Sequence, residues 1–256
     1  MSEKKEQEKI KKIREYLLKS GFPLEVEIGS ILRKNGWLVG NQWPYVDKES
    51  GKIRPVDVLA MKMTRGLGVL LLIECKKSIK HDWVFHTQEK ERELLPLLGT
   101  LVDLLKKFKS FPFAGKLANL TAANIMASKL SGLHLLDNAI KIGVFNVIPS
   151  SKDRDDFYVA INEILSAIVG MRESMKAFIA FPAIVFDGDM FQFYQENNET
   201  QILPINHLQF ISFEKAQAGM LPCLVDVVRK SYFSEFLRMI ERNYSILTDL
   251  IKMSGG

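Results

Sequence analysis

The chain has 256 residues, of which 47% are hydrophobic and 25% are charged, and its formal net charge is +5. This balance is typical of a globular protein and excludes a disordered or fibrous chain. The length is sufficient for a sizeable hydrophobic core, either in one large domain or in a domain with additions. The mildly basic charge is compatible with a polyanionic partner but does not require one.

Cysteine usage and the start of the chain indicate the cellular compartment. The two cysteines, Cys75 and Cys223, are too few for a disulfide framework and cannot form a zinc site by themselves. Residues 1–9 are mostly charged and lack the apolar segment of a secretory signal. No apolar run reaches the length needed to cross a membrane. The sequence therefore predicts a cytoplasmic protein in a reducing compartment, without a membrane partner.

Two helices are predicted first. Residues 2–19 are dense in lysine and glutamate and carry a single apolar stripe, which is typical of a solvated helix. A second helix is predicted from Leu24 to about Asn35. Glu25 and Glu27 lie on opposite shoulders of its buried stripe, each roughly 80° from the centre of that stripe. Either glutamate could therefore lean over a neighbouring sheet.

Three strands are predicted next, over residues 37–46, 52–63 and 69–78, with short turns between them. Asp57 interrupts the apolar heart of the second strand. An aspartate inside such a strand is costly unless it is paired, hydrogen-bonded or bound to a metal. The second strand therefore carries a candidate site residue.

The third strand ends in Glu74-Cys75-Lys76. Because residues two apart in a strand point to the same face, Glu74 and Lys76 share a face and Cys75 points away from it. A carboxylate beside an ammonium can hold a divalent metal and can orient a water or steady a phosphate. The same triplet is also compatible with a solvated ion pair where a strand leaves the core.

The register of the second hairpin connects the two acids. If its strands pair in the simplest register, Asp57 and Glu74 meet at one end of the sheet. Two carboxylates at such a distance repel each other, and a divalent cation between them removes that cost. The sequence therefore predicts that these two residues form a metal site.

The helix with a glutamate, the strand with Asp57 and the strand ending in Glu74-Cys75-Lys76 resemble the PD-(D/E)xK nuclease superfamily, in particular its Mrr-type and Holliday-junction-resolvase-like branches. The resemblance covers about residues 21–85. It implies a restriction-endonuclease-like α/β fold, whose core is a helix, three strands, a helix and a strand in a mixed central sheet flanked by helices. In one departure from the family pattern, Pro55 stands two residues before the aspartate instead of directly before it.

The resemblance also implies a ligand set. Asp57 and Glu74 would hold one or two Mg²⁺ (or Mn²⁺) ions, with the backbone carbonyl of Cys75 as a further ligand. The helix glutamate, Glu25 or alternatively Glu27, would reach the metal directly or through water.

The activity that the resemblance implies is metal-dependent hydrolysis of phosphodiester bonds, most simply by a DNA endonuclease in which Lys76 helps to prepare the attacking water. One alternative is a catalytically inactive nucleic-acid-binding module of the same fold. A second alternative is an ordinary α/β protein in which the acids and the lysine form a structural ion-pair network. A homodimer would suit cleavage of both strands of a duplex, because two sites must then meet two strands.

Residues after the motif are candidates for contacts with nucleic acid. Lys77, Lys80 and His86 would contact phosphates near the site. Trp83 could stack on a base or a sugar, although aromatic residues in such a position more often close the core.

The rest of the chain is predicted to extend the same α/β domain. The predicted elements are a helix over 86–98 continued to 109, a buried strand over 139–149 parallel to its neighbour after a long crossover, a helix over 157–175, a hairpin of 178–186 with 190–194, a strand over 208–213 and helices over 223–252. We therefore predict one domain over residues 1–256. Its nuclease-like core spans about 21–150, and a strand-and-helix extension over 151–256 completes the sheet and the helical packing.

Overall fold

The computed structural model describes residues 3–64, 67–78, 82–88, 141–146, 156–171, 178–216, 219–242 and 245. The helices are α1 (Glu3–Lys19), α2 (Phe22–Lys34), α3 (Asp156–Met171) and α4 (residues 233–242), the last preceded by a 3₁₀ turn at Lys230–Tyr232. The strands are β1 (Leu38–Val46), β2 (Ile53–Thr64), β3 (Leu67–Lys77), β4 (Trp83–Gln88), β5 (Lys141–Asn146), β6 (Phe178–Asp187), β7 (Met190–Glu196), β8 (Glu199–Pro204), β9 (His207–Ala216) and β10 (Gly219–Arg229).

These strands form one mixed sheet in the order β1-β2-β3-β6-β10-β9-β5-β4-β7-β8. The first three strands make antiparallel hairpins. β3 then pairs in parallel with β6, and β6 pairs in parallel with β10. Because parallel neighbours need a crossover, α3 lies between β3 and β6 in the chain and packs on both strands. The predicted mixed α/β architecture with a mixed sheet flanked by helices is confirmed.

The alternation of side chains along β3 divides the core into two layers. Leu71, Ile73 and Cys75 pack in a cluster with α2 and α4. Leu70 and Leu72 pack on the opposite face in a cluster with α3. All five side chains are buried, and full burial of an aliphatic side chain of this size stabilises a protein by roughly 1.5–3 kcal/mol. β3 is therefore an inner strand of the sheet, covered on both faces.

In the chain, α2, β1, β2 and β3 follow one another directly, and β4 and β5 come before α3 and β6. Residues 79–155, most of which lie outside the described part, separate β3 from α3. The strand parallel to β3 is β6 and not β5, because β5 pairs with β4 and β9. No helix in the described part of the chain has the length and apolarity to cross a membrane.

The start of one predicted helix and the pairing of one predicted hairpin are wrong near the middle of the chain. Residues 86–88 end β4, so the helix predicted from residue 86 does not begin there, and the rest of that helix lies outside the described residues. The predicted hairpin of β6 and β7 does not form, because β7 pairs with β4 and β8. The amide of Trp83 donates to the carbonyl of Asp189 at 3.0 Å, which brings β4 alongside β7.

The segment that begins at Cys223 is also different from the prediction. Residues 223–229 complete β10, and the helix begins only at residue 233. Val225, Val227 and Val228 are fully buried there. A run of valines buried on both faces of a sheet is typical of an inner strand, and this packing outweighed the helical spacing of the apolar residues.

Candidate active site

The structure places Asp57 and Glu74 beside each other where the β2–β3 ladder ends. The paired residues run from Thr64 opposite Leu67 to Val58 opposite Ile73, so Asp57 and Glu74 occupy the next opposed positions. Beyond the ladder, the Asp57 carboxylate accepts a hydrogen bond from the backbone amide of Cys75 at 2.8 Å. The aspartate thus replaces a backbone partner of β3 just where the two strands separate, and this accounts for an acid inside an apolar strand.

Glu74 is a buried acid whose carboxylate has few hydrogen-bond donors and little positive charge around it. Its residue is 3% exposed, and its Oε1 atom makes no hydrogen bond to any part of the chain that the structure describes. Burial, followed by the nearby charge of Asp57, raises the pKa of Glu74 to about 10 despite the opposing effect of Lys76. Burial also raises the pKa of Asp57, although the Cys75 amide and Lys76 oppose the shift. The pair therefore lacks positive charge.

Lys76 lies on the same face as Glu74 but is closer to a different carboxylate. Its ammonium nitrogen is 3.7 Å from Glu74 Oε2 and 2.7 Å from Glu163 Oε2. Burial alone would lower the pKa of Lys76, but the hydrogen bond to Glu163 and the charge of Glu74 together raise it above its ordinary value. The lysine is therefore held as a cation at the edge of the acidic pair.

Glu163 is a site residue that the sequence analysis missed. It belongs to α3 and lies 87 residues from Lys76 in the chain. Apart from Asp156 at the first turn, it is the single charged residue of that helix, and it flanks a stripe of buried apolar residues. An isolated charge beside an apolar helical stripe was the sequence signal that could have identified Glu163. The helix approaches β1 so closely that a Cβ atom on Gly170 would lie 2.5 Å from the carbonyl oxygen of Val46.

Glu25 approaches the site from α2, on the other side of the sheet end. Its residue is 8% exposed, and burial followed by the charge of Asp57 raises its pKa. The amide nitrogen of Gln42 lies 2.6 Å from Glu25 Oε2 and 3.2 Å from Asp57 Oδ1. Gln42, which was not predicted, therefore connects the helix glutamate to the strand aspartate.

Gln42 adopts an unusual backbone conformation for a strand residue. Its φ angle is +52°, and the left-handed region costs a residue other than glycine roughly 1–2 kcal/mol. Such strain persists only where the surrounding contacts enforce it, and it is frequent at functional sites. No pattern in the sequence indicated it, because the position carries neither glycine nor asparagine.

The structure separates the two glutamates that were open alternatives. Glu25 joins the acidic cluster, whereas Glu27 makes an ion pair with Lys230 at 2.9 Å. Lys230 also lies 3.8 Å from Asp187 at the end of β6. Glu27 thus ties α2 to the segment before α4 and is not brought to Asp57 or Glu74.

Of the four residues predicted to contact nucleic acid, the three that the structure describes differ in burial and in position relative to the acidic pair. Trp83 is 2% exposed and stacks on Phe186 with ring centroids 3.9 Å apart, so the expectation that it stacks on a base is corrected: it closes the core. His86 lies on β4, which is not adjacent to β3 in the sheet, and its ring packs 4.9 Å from that of Phe193. Lys77 is exposed directly after Lys76, and Lys80 lies outside the described residues.

The donor chemistry of the cluster fits a hard divalent cation. Within the described ranges no three His, Cys, Asp or Glu side chains already converge as ligands. The adjacent pair of Asp57 and Glu74 nevertheless offers carboxylate oxygens, one of them buried without a hydrogen bond, and Mg²⁺ and Ca²⁺ prefer oxygen ligands. The Cys75 thiol is buried, and burial raises its pKa well above the ordinary value. A role for the Cys75 carbonyl as a ligand stays a prediction.

The chain matches no protein-family model, no curated protein and no solved structure. The interpretation of this site therefore rests on its own residues and their geometry.

Proposed function

We propose that this protein is a metal-dependent nuclease of the PD-(D/E)xK type, acting as a DNA endonuclease. One observation carries the proposal: carboxylates outnumber their cations at the end of β3, and two of the three, those of Glu25 and Glu74, are buried. Asp57 and Glu74 are adjacent there, and Gln42 links Glu25 to Asp57, with Lys76 as the one ammonium that pairs with any of these acids in the described part of the chain. A site that lacks positive charge in this way is suited to a divalent cation.

The order of elements around the site supports the same proposal. A helix with a glutamate, two hairpin-linked strands that bring the acids together, and a helix followed by a parallel strand agree with the restriction-endonuclease-like core that the motif implies. In this interpretation α3 and β6 complete the core, and residues 79–155, which include β4 and β5 of the same sheet, are an insertion in it.

Asp57 and Glu74 are the residues that would hold Mg²⁺ or Mn²⁺. When bound there, the cation supplies Lewis-acid activation of a phosphodiester and of a water molecule. Lys76 is held at the edge of this pair by Glu163, so its remaining donors can orient a water or contact a phosphate oxygen. Burial of Glu74 and partial burial of Asp57 limit the screening of these charges by bulk water, which strengthens their effect on a bound phosphate.

The test is cleavage of plasmid, linear duplex, single-stranded DNA and RNA in the presence of Mg²⁺, Mn²⁺ or EDTA. We expect cation-dependent cleavage of DNA that falls by about 100-fold or more in Lys76→Ala, because the transition state loses an aligned positive charge. Lys62→Ala is the matched control. Lys62 is also a strand lysine, and it pairs with Glu241 at 2.8 Å away from the acidic cluster.

Other outcomes would change the proposal in specific ways. Salt-sensitive DNA binding without cleavage would identify the catalytically inactive binding module. Preference for RNA would keep the chemistry and change the substrate. Absence of both cleavage and binding would indicate that the acids and Lys76 form an ion-pair network with a purely structural role.

A further inference from the structure

Gln42 differs from its neighbours in β1 in the residue that it faces and in its backbone conformation. Asn41 pairs with Val58, and Trp43 pairs with Val56, so Gln42 lies opposite Asp57. In the described part of the chain, the other residues besides glycine with a positive φ angle are Asn197 and Asn198, which form the turn between β7 and β8. Gln42 is therefore the one such residue that lies within a strand.

The amide group of Gln42 lies between two acids. A single nitrogen, with two hydrogens, is within hydrogen-bond distance of Glu25 at 2.6 Å and of Asp57 at 3.2 Å. A neutral amide compensates two anions only in part, since it brings no net charge. It lies where a cation would bridge the same two carboxylates.

The backbone around this contact is braced from the helix side. Asn41 donates from Nδ2 to the carbonyl oxygen of Glu25 at 3.0 Å. Arg33 donates to Asn41 Oδ1 at 2.6 Å. A Cβ atom on Gly29 would lie 3.0 Å from the same oxygen, so α2 and β1 are close together here. Rearrangement is therefore left to the side chains of Glu25 and Gln42.

We propose that the Gln42 amide competes with a divalent cation for the Glu25 carboxylate. With the amide in place, a cation is held by Asp57 and Glu74, and Glu25 becomes a ligand only when the amide moves away. Gln42 is in this sense a positioning residue that sets the number of carboxylates on the cation. This inference rests on the proposed function, since it takes the acidic pair to be a cation site.

The test is a double-mutant cycle on Mn²⁺ binding, measured by calorimetry with the full-length protein and no nucleic acid. Gln42→Asn keeps a side chain that tolerates the left-handed conformation but is one methylene too short to bridge the acids. It should lower the Kd for Mn²⁺ about tenfold, the order of change that neighbours of metal ligands produce. Glu25→Gln should leave the wild-type Kd within about twofold, and should remove the gain when combined with Gln42→Asn.

Two further measurements keep the test independent of one variant. Gln42→Gly retains the positive φ angle, removes the amide and should tighten Mn²⁺ binding as Gln42→Asn does. In the wild-type protein, the side-chain amide resonances of Gln42 should show that the hydrogen bond to Glu25 is kept on addition of Mg²⁺, because the cation is then held by Asp57 and Glu74. The resonances are assigned by their absence from Gln42→Asn.

Weaker or unchanged Mn²⁺ binding in both Gln42 variants would overturn the inference, as would a gain that persists without Glu25. Glu74→Gln separates this failure from failure of the proposed function. If Glu74→Gln abolishes Mn²⁺ binding but the Gln42 and Glu25 variants all keep the wild-type Kd for Mn²⁺, only the role of Gln42 is wrong. If the wild-type protein does not bind Mn²⁺, both proposals fall.

Discussion

Two buried acids on the same sheet, Asp226 in β10 and Glu74 in β3, differ in the hydrogen-bond donors that surround their carboxylates. Asp226 is 2% exposed, and its Oδ1 accepts hydrogen bonds from His207 at 2.8 Å and Gln209 at 3.3 Å. Glu74 is 3% exposed, but its Oε1 has no hydrogen-bond donor among the described residues, and its neighbour Lys76 is closer to Glu163.

The difference shows how a structural acid can be distinguished from a candidate ligand. Burying a carboxylate is costly unless donors satisfy it. Around Asp226 the fold supplies those donors from the adjacent strand β9. Around Glu74 it supplies a second carboxylate, Asp57, which makes the cost greater. This lack of donors is the reason for proposing a cation beside Glu74 and not beside Asp226.

The largest expected effect is on stability. Asp226→Ala should lower the free energy of unfolding by about 3 kcal/mol, because it leaves two buried polar side chains without their acceptor. Glu74→Gln should leave the free energy of unfolding unchanged or raise it, because a neutral amide, unlike the buried acid beside Asp57, needs no proton uptake on folding. Urea denaturation of both variants checks this contrast. A loss in Glu74→Gln as large as that in Asp226→Ala would show that the two acids are alike.

The next effect concerns pH in the absence of divalent cations. The pKa of Glu74 is raised from its ordinary value of 4.5 to about 10 in the folded protein. Between these values the folded protein keeps a proton that the unfolded chain releases, so this contribution to stability is complete below pH 4.5 and is lost as the pH rises towards 10. Glu74→Gln should flatten this dependence.

The measurement is the melting temperature from pH 6 to 9, with and without Mg²⁺. Bound Mg²⁺ favours the ionised carboxylates, so its addition should raise the melting temperature of the wild-type protein most at the alkaline end of the range. The same addition should have little effect on Glu74→Gln. Parallel pH curves for the two proteins would contradict the assignment of the raised pKa to Glu74.

The smallest expected effect tests how Lys76 is held. Glu163→Gln keeps a hydrogen-bond acceptor for the ammonium but removes the charge, so it should reduce the cleavage rate by about tenfold and move the alkaline limb of the pH profile to lower pH. Glu235→Gln is the control, since Glu235 pairs with Arg238 on the exposed side of α4. A reduced rate with an unshifted pH profile would indicate a purely structural role for Glu163.

The local parts of the site were predictable from the sequence. The alternation of side chains in a strand placed Glu74 and Lys76 on one face and Cys75 on the other, and the tight β2–β3 hairpin fixed the register that brings Asp57 to Glu74. These relations depend on short connections and on the two-residue period of a strand. The structure agrees with both.

The parts that depend on distant segments were not predictable. Nothing near Lys76 in the chain indicates that α3 will supply Glu163 as its partner. The turn after β6 resembled a hairpin locally, but β6 is paired with β3 and β10 on both sides, which leaves no edge for β7. The orientation of Gln42 depends on a backbone conformation that its residue type does not favour.

The distance in sequence between β3 and α3 has a consequence for the order in which the contacts of Lys76 become complete during synthesis. Asp57, Glu74 and Lys76 leave the ribosome early, whereas Glu163 and the β6 strand that flanks β3 follow about a hundred residues later. Pairing between such distant strands forms slowly, because a long loop must close first. A partly made chain therefore carries the acids without the contact that holds the lysine, and this contact can form only after α3 has been made.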